Sequence, residues 1–378
     1  MPRIFELFGY HIDDKSAEAE SVRRAAKCPF MDSVCDGGGN RHMSAIRLKS
    51  KPDLQRYFRN AEQVQSGVCS LQMHEDENPW IVCPRRLLTL WRGNSGECKH
   101  QDRAEKLLFG YAGFPSGTRL GVWQEVKLKY HEMVGAEDVV GGERAAFKSF
   151  DYTFDYIVAP LAPASQTEIE GITGIPWGRL RPKIEAAGYT LAKKGSQDFV
   201  EDFPKGPPTI VEIMTCSTSG GNKDKRTTIP MAFEDAILGK EHTAPGINYR
   251  QVWARMVSQL IVKSEVGIGW GGKTFWILQD ALVRYISEST NLNIREFLAE
   301  KTSEVNMLCL SYGEGHRGKK GIMELKDGIL FAGPISTHGG VRRAASFEDM
   351  IHTPLRPEYK RLAGLLLSSK MANRIVVR

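Results

Sequence analysis

The clearest periodicity in the chain is helical. Val252, Trp253, Met256, Val257, Leu260 and Ile261 form a double i, i+4 stripe that predicts a helix over 250–262. FWILQDALVRYI, residues 275–286, predicts a further helix, and GECKHQDRAEKLLF, residues 96–109, another with Ser95 as its cap. Elsewhere the period drops to two. In GVWQEVKLKY, residues 121–130, Val122, Gln124, Val126, Leu128 and Tyr130 share one face, and Trp123, Glu125, Lys127 and Lys129 share a wet, charged one. TFDYIVAP, residues 153–160, and TIVEIMT, residues 209–215, predict two more strands, the second closed off by Pro207-Pro208 and by STSGGN. IMELKDGILF reads as a hairpin with Asp327-Gly328 in a type I′ turn. The Gly- and Pro-rich residues 161–208 are expected outside the sheet. The glycines of GIGWGGKT, 267–274, are out of register for a phosphate loop, so Thr274 is expected to cap a helix.

Strands alternating with helices predict an α/β fold: a mixed sheet flanked by helices. Residues 1–95 differ. They hold CPF, CDGGGN and CPRR with little long periodicity, and read as a small irregular module that a metal clip would stabilise. The remainder, 96–378, reads as a second unit. With 378 residues, 41% of them hydrophobic, there is material for a sizeable core. No run approaches the roughly 18 to 20 apolar residues that cross a bilayer, and MPRIFELFGYHIDDKS lacks the apolar stretch of a signal peptide. A cytoplasmic protein without a membrane partner is expected. A net charge of +6, from 51 Lys and Arg against 45 Asp and Glu, permits a polyanionic partner without requiring one.

Two acids stand out against the strand pattern. On TIVEIMT the period of two places Ile210, Glu212 and Met214 on one face, and Asp155 sits between Phe154 and Tyr156. A carboxylate in an apolar strand is costly to bury unless it is paired or bound to a cation. Converging at a sheet edge, the two would make a hard oxygen site for Mg²⁺; otherwise each pairs with a nearby Lys or Arg or faces solvent. Glu125 and Glu143 are further acids within reach. Glu125 shares its face with Lys127 and Lys129 and reads as a surface pair, whereas Glu143 follows Gly141-Gly142, where a turn would aim it at the site.

Seven cysteines, five of them in the first hundred residues, do not form a disulfide scaffold. Cys28, Cys35, Cys69 and Cys83 resemble two knuckles of a tetrahedral thiolate site, for zinc or iron, although neither has the compact C-x-x-C form. Buried apolar cysteines are the other reading. His42, His74, Cys98 and His100 are substitute ligands, and Cys216 and Cys309 read as core.

The order of these motifs resembles the NotI-like type II restriction endonucleases. The matching stretches are Phe8-Gly9-Tyr10-His11, Cys28-Pro29-Phe30, Cys35, Gly67-Val68-Cys69, Val82-Cys83-Pro84, Leu108-Phe109-Gly110-Tyr111, Gly141-Gly142-Glu143, Phe154-Asp155-Tyr156 and Glu212-Ile213-Met214-Thr215. The resemblance spans roughly residues 5 to 265 and becomes vague beyond. The resemblance implies a PD-(D/E)XK nuclease core and a homodimer cutting a palindromic site in double-stranded DNA. It also implies one structural iron on Cys28, Cys35, Cys69 and Cys83, and catalytic Mg²⁺ on Asp155 and Glu212 with Glu143 nearby. The chain departs from the family in an insertion near 161–208 and at Met214. The usual motif has Lys there, the NotI-like members Gln, and a thioether supplies neither a charge nor a donor. Lys223, Lys225 or Glu143 would then fill the polar role. If none does, a metal-stabilised DNA-binding protein that cuts little is the alternative. Arg41, His42, Lys223, Lys225 and Arg226, flanking Gly-Asn turns, are candidates for DNA contact, though solvated surface charge explains each equally well.

Overall fold

A computed structural model describes residues 1–38, 45–59, 61–90, 100–133, 147–289, 297–313, 320–333, 358–368 and 374–377. Its centre is a nine-stranded mixed sheet. Along the sheet run Leu191–Lys194, Gln197–Pro204, Phe147–Ser165, Thr209–Ile213, Lys273–Gln279, Val305–Ser311 and Lys326–Gly333; Leu120–Met133 also pairs with Phe147–Ser165, and Arg374–Val377 with Leu120–Met133. The three central strands from Thr209 to Ser311 are parallel, and their neighbours on either side are antiparallel. The expected mixed sheet flanked by helices is therefore present. No helix among the described residues is long and apolar enough to cross a membrane.

The centre of the sheet differs from the helix expected over 275–286. FWILQDALVRYI is a strand, Lys273–Gln279, followed by a helix, Asp280–Ser289. A parallel strand covered on both faces is apolar throughout, so no alternation separates it from a buried helix. Asp280 starts the helix, its Oδ1 accepting from the Ala281 amide at 2.8 Å. Thr274 therefore lies buried within a strand and caps no helix. Asp327-Gly328 is not a turn either: Lys326–Gly333 runs straight through it. Gly328 is needed for close approach at the bulge opposite Cys309, where a Cβ would stand 1.6 Å from the Cys309 carbonyl oxygen.

Residues 161–208 do not lie outside the sheet. Phe147–Ser165 continues through Leu161, and Gln197–Pro204 returns alongside it. The expected helix over 250–262 extends to Tyr249–Gly269, and that over 96–109 is Asp102–Ala112, with Ser95 outside the described residues.

The N-terminal residues form a four-stranded sheet in the order Tyr10–His11, Arg3–Leu7, Val68–Gln72, Trp80–Ile81. Their apolar side chains join the largest core cluster of the molecule, where Ile4, Leu7 and Trp80 share a core with Phe233, Leu260 and Trp276. A second tie is ionic. Arg86 and Glu6, both fully buried, pair at 2.8 Å, and Arg86 also donates to the Met323 carbonyl.

Candidate functional site

Asp155 and Glu212 meet where the sheet divides. Tyr156 pairs with Val211, so Asp155 falls opposite Glu212, just where the Thr209–Ile213 strand is about to leave the sheet. The two acids interlock through the backbone. The Asp155 amide donates to Glu212 Oε1 at 3.3 Å, and the Ile213 amide donates to Asp155 Oδ2 at 2.9 Å. On its other side Asp155 falls opposite Glu125, since Phe154 pairs with Val126 and Tyr156 with Gln124. Glu125 has a left-handed φ of 50°, a costly conformation for a side chain with a Cβ. The faces change over at this kink. Trp123, Val126, Leu128 and Tyr130 lie in one apolar cluster and Val122 in another, so Trp123 is buried and the continuous wet face expected across 123–129 is interrupted.

The third member of the site comes from the long helix. Lys263 Nζ donates to Glu212 Oε2 at 2.5 Å, and both side chains are buried. Glu212 carries an unusual burden. Burial, then the neighbouring Asp155 charge, push its carboxyl up to about 8, against the pull of Lys263. A cation at the acid pair would relieve that cost. Nothing in the strand pattern pointed to Lys263, but its own helix did. It lies three residues after Leu260 and seven after Met256, on the buried stripe where a solvated lysine has no place.

Met214 is buried in the main core cluster, which also holds Met256 and Leu260 of the same helix. The strand ends at Ile213, and Ile210 lies in a different cluster from Met214, so the face expected to be shared by Ile210, Glu212 and Met214 is not formed; the ammonium beside Glu212 is that of Lys263. Lys223 and Lys225, expected to swing back, are exposed in the turn after Asn222, whose Oδ1 accepts from the Lys225 amide. Arg226 pairs with Asp235 at 2.8 Å. Glu143, Arg41, His42 and Cys98 lie outside the described residues.

Cys28, Cys35, Cys69 and Cys83 line one small cavity, with Phe8, Gly67 and Asp36 beside them and no histidine among the described residues; His74 and His100 are exposed. Among the described residues no three Cys, His, Asp or Glu side chains already stand at the spacing of a metal cage. The surroundings of the sulfurs nonetheless suit thiolates. Each receives backbone N–H donors: Cys28 from Phe30 and Met31, Cys83 from Arg85 and Arg86, Cys35 from Gly37 at 3.4 Å, and Cys69 from Gly9 at 3.3 Å. Burial, and then the neighbouring Cys83, push Cys28 up to about 12; the same causes raise Cys35 and Cys69. Four thiols that oppose one another's ionisation in a cavity lined with amide donors need a cation to ionise together. Cys216 and Cys309 are buried in the core cluster, as expected.

No protein-family model and no curated protein matches this chain.

One side chain joins the two centres. Arg85, two residues beyond Cys83, pairs with Asp36 at 3.0 Å and with Glu125 at 3.6 Å, and donates to the Tyr156 hydroxyl at 3.4 Å. Asp36 lines the cysteine cavity, whereas Glu125 and Tyr156 flank Asp155 in space and in sequence. The knuckle after Cys83 is thus fastened to the kinked strand pair.

Proposed function

We propose that the chain is a Mg²⁺-dependent, site-specific endonuclease of double-stranded DNA, of the type II restriction class, with a PD-(D/E)XK core. The observation that carries this reading is the meeting of Asp155, Glu212 and Lys263 at the point where the sheet divides. Two carboxylates can hold a divalent cation and an ammonium can offset phosphate charge beside it, and a buried glutamate held up to about 8 is costly unless a cation joins it. The reaction adds water across the P–O3′ bond and leaves a 5′-phosphate and a 3′-hydroxyl.

Asp155 and Glu212 would hold Mg²⁺, which when bound neutralises phosphate charge and acidifies water. Lys263 holds Glu212 in place and keeps a positive charge beside the position of the scissile phosphate. The Ile213 and Asp155 amides fix both carboxylates on a rigid strand pair. Met214 fills core volume and takes no part. The four cysteines would hold one iron, or zinc, as a structural centre, since four thiolates leave no open position for water. Two cuts on antiparallel strands call for a homodimer with a two-fold axis.

The test is incubation of the purified protein with mixed-sequence duplex DNA, with and without Mg²⁺, followed by mapping of the ends. Discrete cuts that need Mg²⁺ are expected. They should persist in Met214→Leu and vanish in Asp155→Asn. An Asp155→Asn variant that cuts at the wild-type rate would overturn the site.

A further inference from the structure

Residues 166–204 fold around a core of their own, which includes Ile169, Trp177, Leu180, Ile184, Val200 and Phe203. The helix Gln166–Thr173 is capped by Ser165, whose Oγ accepts from the Glu168 amide, and ends at Gly174 with φ 64°. Gly174, Ile175 and Pro176 turn the chain into a second helix, Trp177–Ala186. Glu170 clamps the turn, its Oε1 accepting from the Trp177 amide at 2.5 Å. A hairpin follows, Leu191–Lys194 with Gln197–Pro204, turning at Gly195-Ser196. The helix Tyr359–Ser368 closes the third side. Its Leu367 joins the core, and the Leu366 carbonyl accepts from the Tyr189 hydroxyl at 3.2 Å.

We propose that this unit is a helix–turn–helix with a β-hairpin wing, and that it docks the helix Trp177–Ala186 in the major groove of duplex DNA. Two helices joined by a three-residue turn, the second presenting its outer face, are the geometry by which a helix enters that groove. Trp177, Leu180 and Ile184 face inward at i, i+3, i+7. The exposed residues of this helix are Gly178, Arg179, Pro182, Lys183, Glu185 and Ala186, with Glu185 at the flank, paired to Arg181. A Cβ on Gly178 would meet nothing within 4 Å, so its surface is open. Small residues around two cations let a helix about 10–12 Å across settle into a groove about 12 Å wide.

The charge on the helix face, rather than that of the whole unit, favours a polyanion. Four acids of the unit are paired, two of them with Lys205 and Arg119 just outside it, and Glu201 is exposed on the wing strand. Asp198 accepts from Trp177 Nε1 and pairs with Arg181, Glu185 also pairs with Arg181, Glu168 with Lys205, and Asp202 with Arg119. Arg179, Lys183 and Lys193 are exposed and make no ion pair among the described residues. Arg179, in the first turn of the helix, is placed to read a guanine edge with its two-pronged guanidinium. Lys193 and Lys194 on the wing carry phosphate contacts, which set register without reading sequence.

This assignment takes its substrate from the nuclease reading but does not depend on cleavage. The experiment therefore measures binding, in Ca²⁺ and without Mg²⁺, to a pool of 40-base-pair duplexes with a randomised centre. Fluorescence anisotropy gives affinity, and sequencing of the retained duplexes gives the selected motif. Arg179→Ala/Lys183→Ala is expected to bind the selected duplex more than tenfold more weakly and to lose the motif. Lys193→Ala/Lys194→Ala should keep the motif and lower the slope of log affinity against log salt by roughly two. All four side chains are exposed, so melting temperatures should match the wild type; Arg179→Gln repeats the test with the smallest perturbation. Unchanged motif and affinity in the first variant overturn the winged unit alone if the wild type binds and cuts. A wild type that binds no duplex overturns both this assignment and the nuclease reading.

Discussion

Glu212 should make the Mg²⁺-free protein less stable as pH rises. Its carboxyl has an ordinary value of 4.5 and is held at about 8 in the fold. Between those values the folded chain keeps a proton that the unfolded chain has released. The folded state therefore binds more protons, and stability falls as pH climbs from about 4.5 to about 8, then levels. At about 1.4 kcal/mol for each tenfold, the gap amounts to roughly 5 kcal/mol as an upper bound, with water entry and relaxation reducing it to a few. Glu212→Gln mimics the protonated acid and removes the dependence. The assay is urea unfolding of both proteins in Mg²⁺-free buffer at pH 5, 7 and 9. The variant should gain on the wild type by a few kcal/mol between the ends of that range. Other titrating groups cancel in the difference. Mg²⁺ should restore the wild type at pH 9 and leave the variant unmoved, because the ion takes the place of the proton. A difference that is flat with pH, or a wild type that gains on the variant as pH rises, would refute the burial argument.

Lys263→Met removes the ammonium from the acid pair. Single-turnover cleavage should fall by roughly 10²-fold or more, with the fold retained at pH 7 because Glu212 already keeps its proton there in the Mg²⁺-free protein; a rate within threefold of wild type would show that Lys263 only fills space. Cys69→Ser should release the structural ion, so that elemental analysis finds well under one metal per chain and the melting transition moves down or disappears, since such ions contribute on the order of 10 kcal/mol to folding. Arg86→Met strands the buried Glu6 carboxylate and should cost about 3–5 kcal/mol in urea unfolding, with most of it recovered in Arg86→Met/Glu6→Leu; an additive double variant would refute the pairing argument.

The acid pair was legible in the chain because an acid stands out within an apolar strand. Glu212 is the one acid in the apolar run TIVEIMT and is anomalous without any knowledge of the partner strand, although the strand is buried on both faces and the alternation itself is not kept. The four cysteines were legible because they crowd into a segment with little periodic apolar content. The unit at 166–204 was legible in part. Trp177, Leu180 and Ile184 carry a helical period, but the Gly and Pro residues around them read as loop, since the same residue types end helices and make the tight turn between two of them. What tertiary structure alone decided is which distant groups meet. Lys263 reaches Glu212 from 51 residues away, and Arg85 joins the cysteine knuckle to the Asp155 strand through Asp36 and Glu125. The strand at 273–279 depended on burial of both its faces, which erases alternation. Local periodicity records one face of one element, whereas charge pairing and two-sided burial are properties of the space between elements, and only the folded chain defines that space.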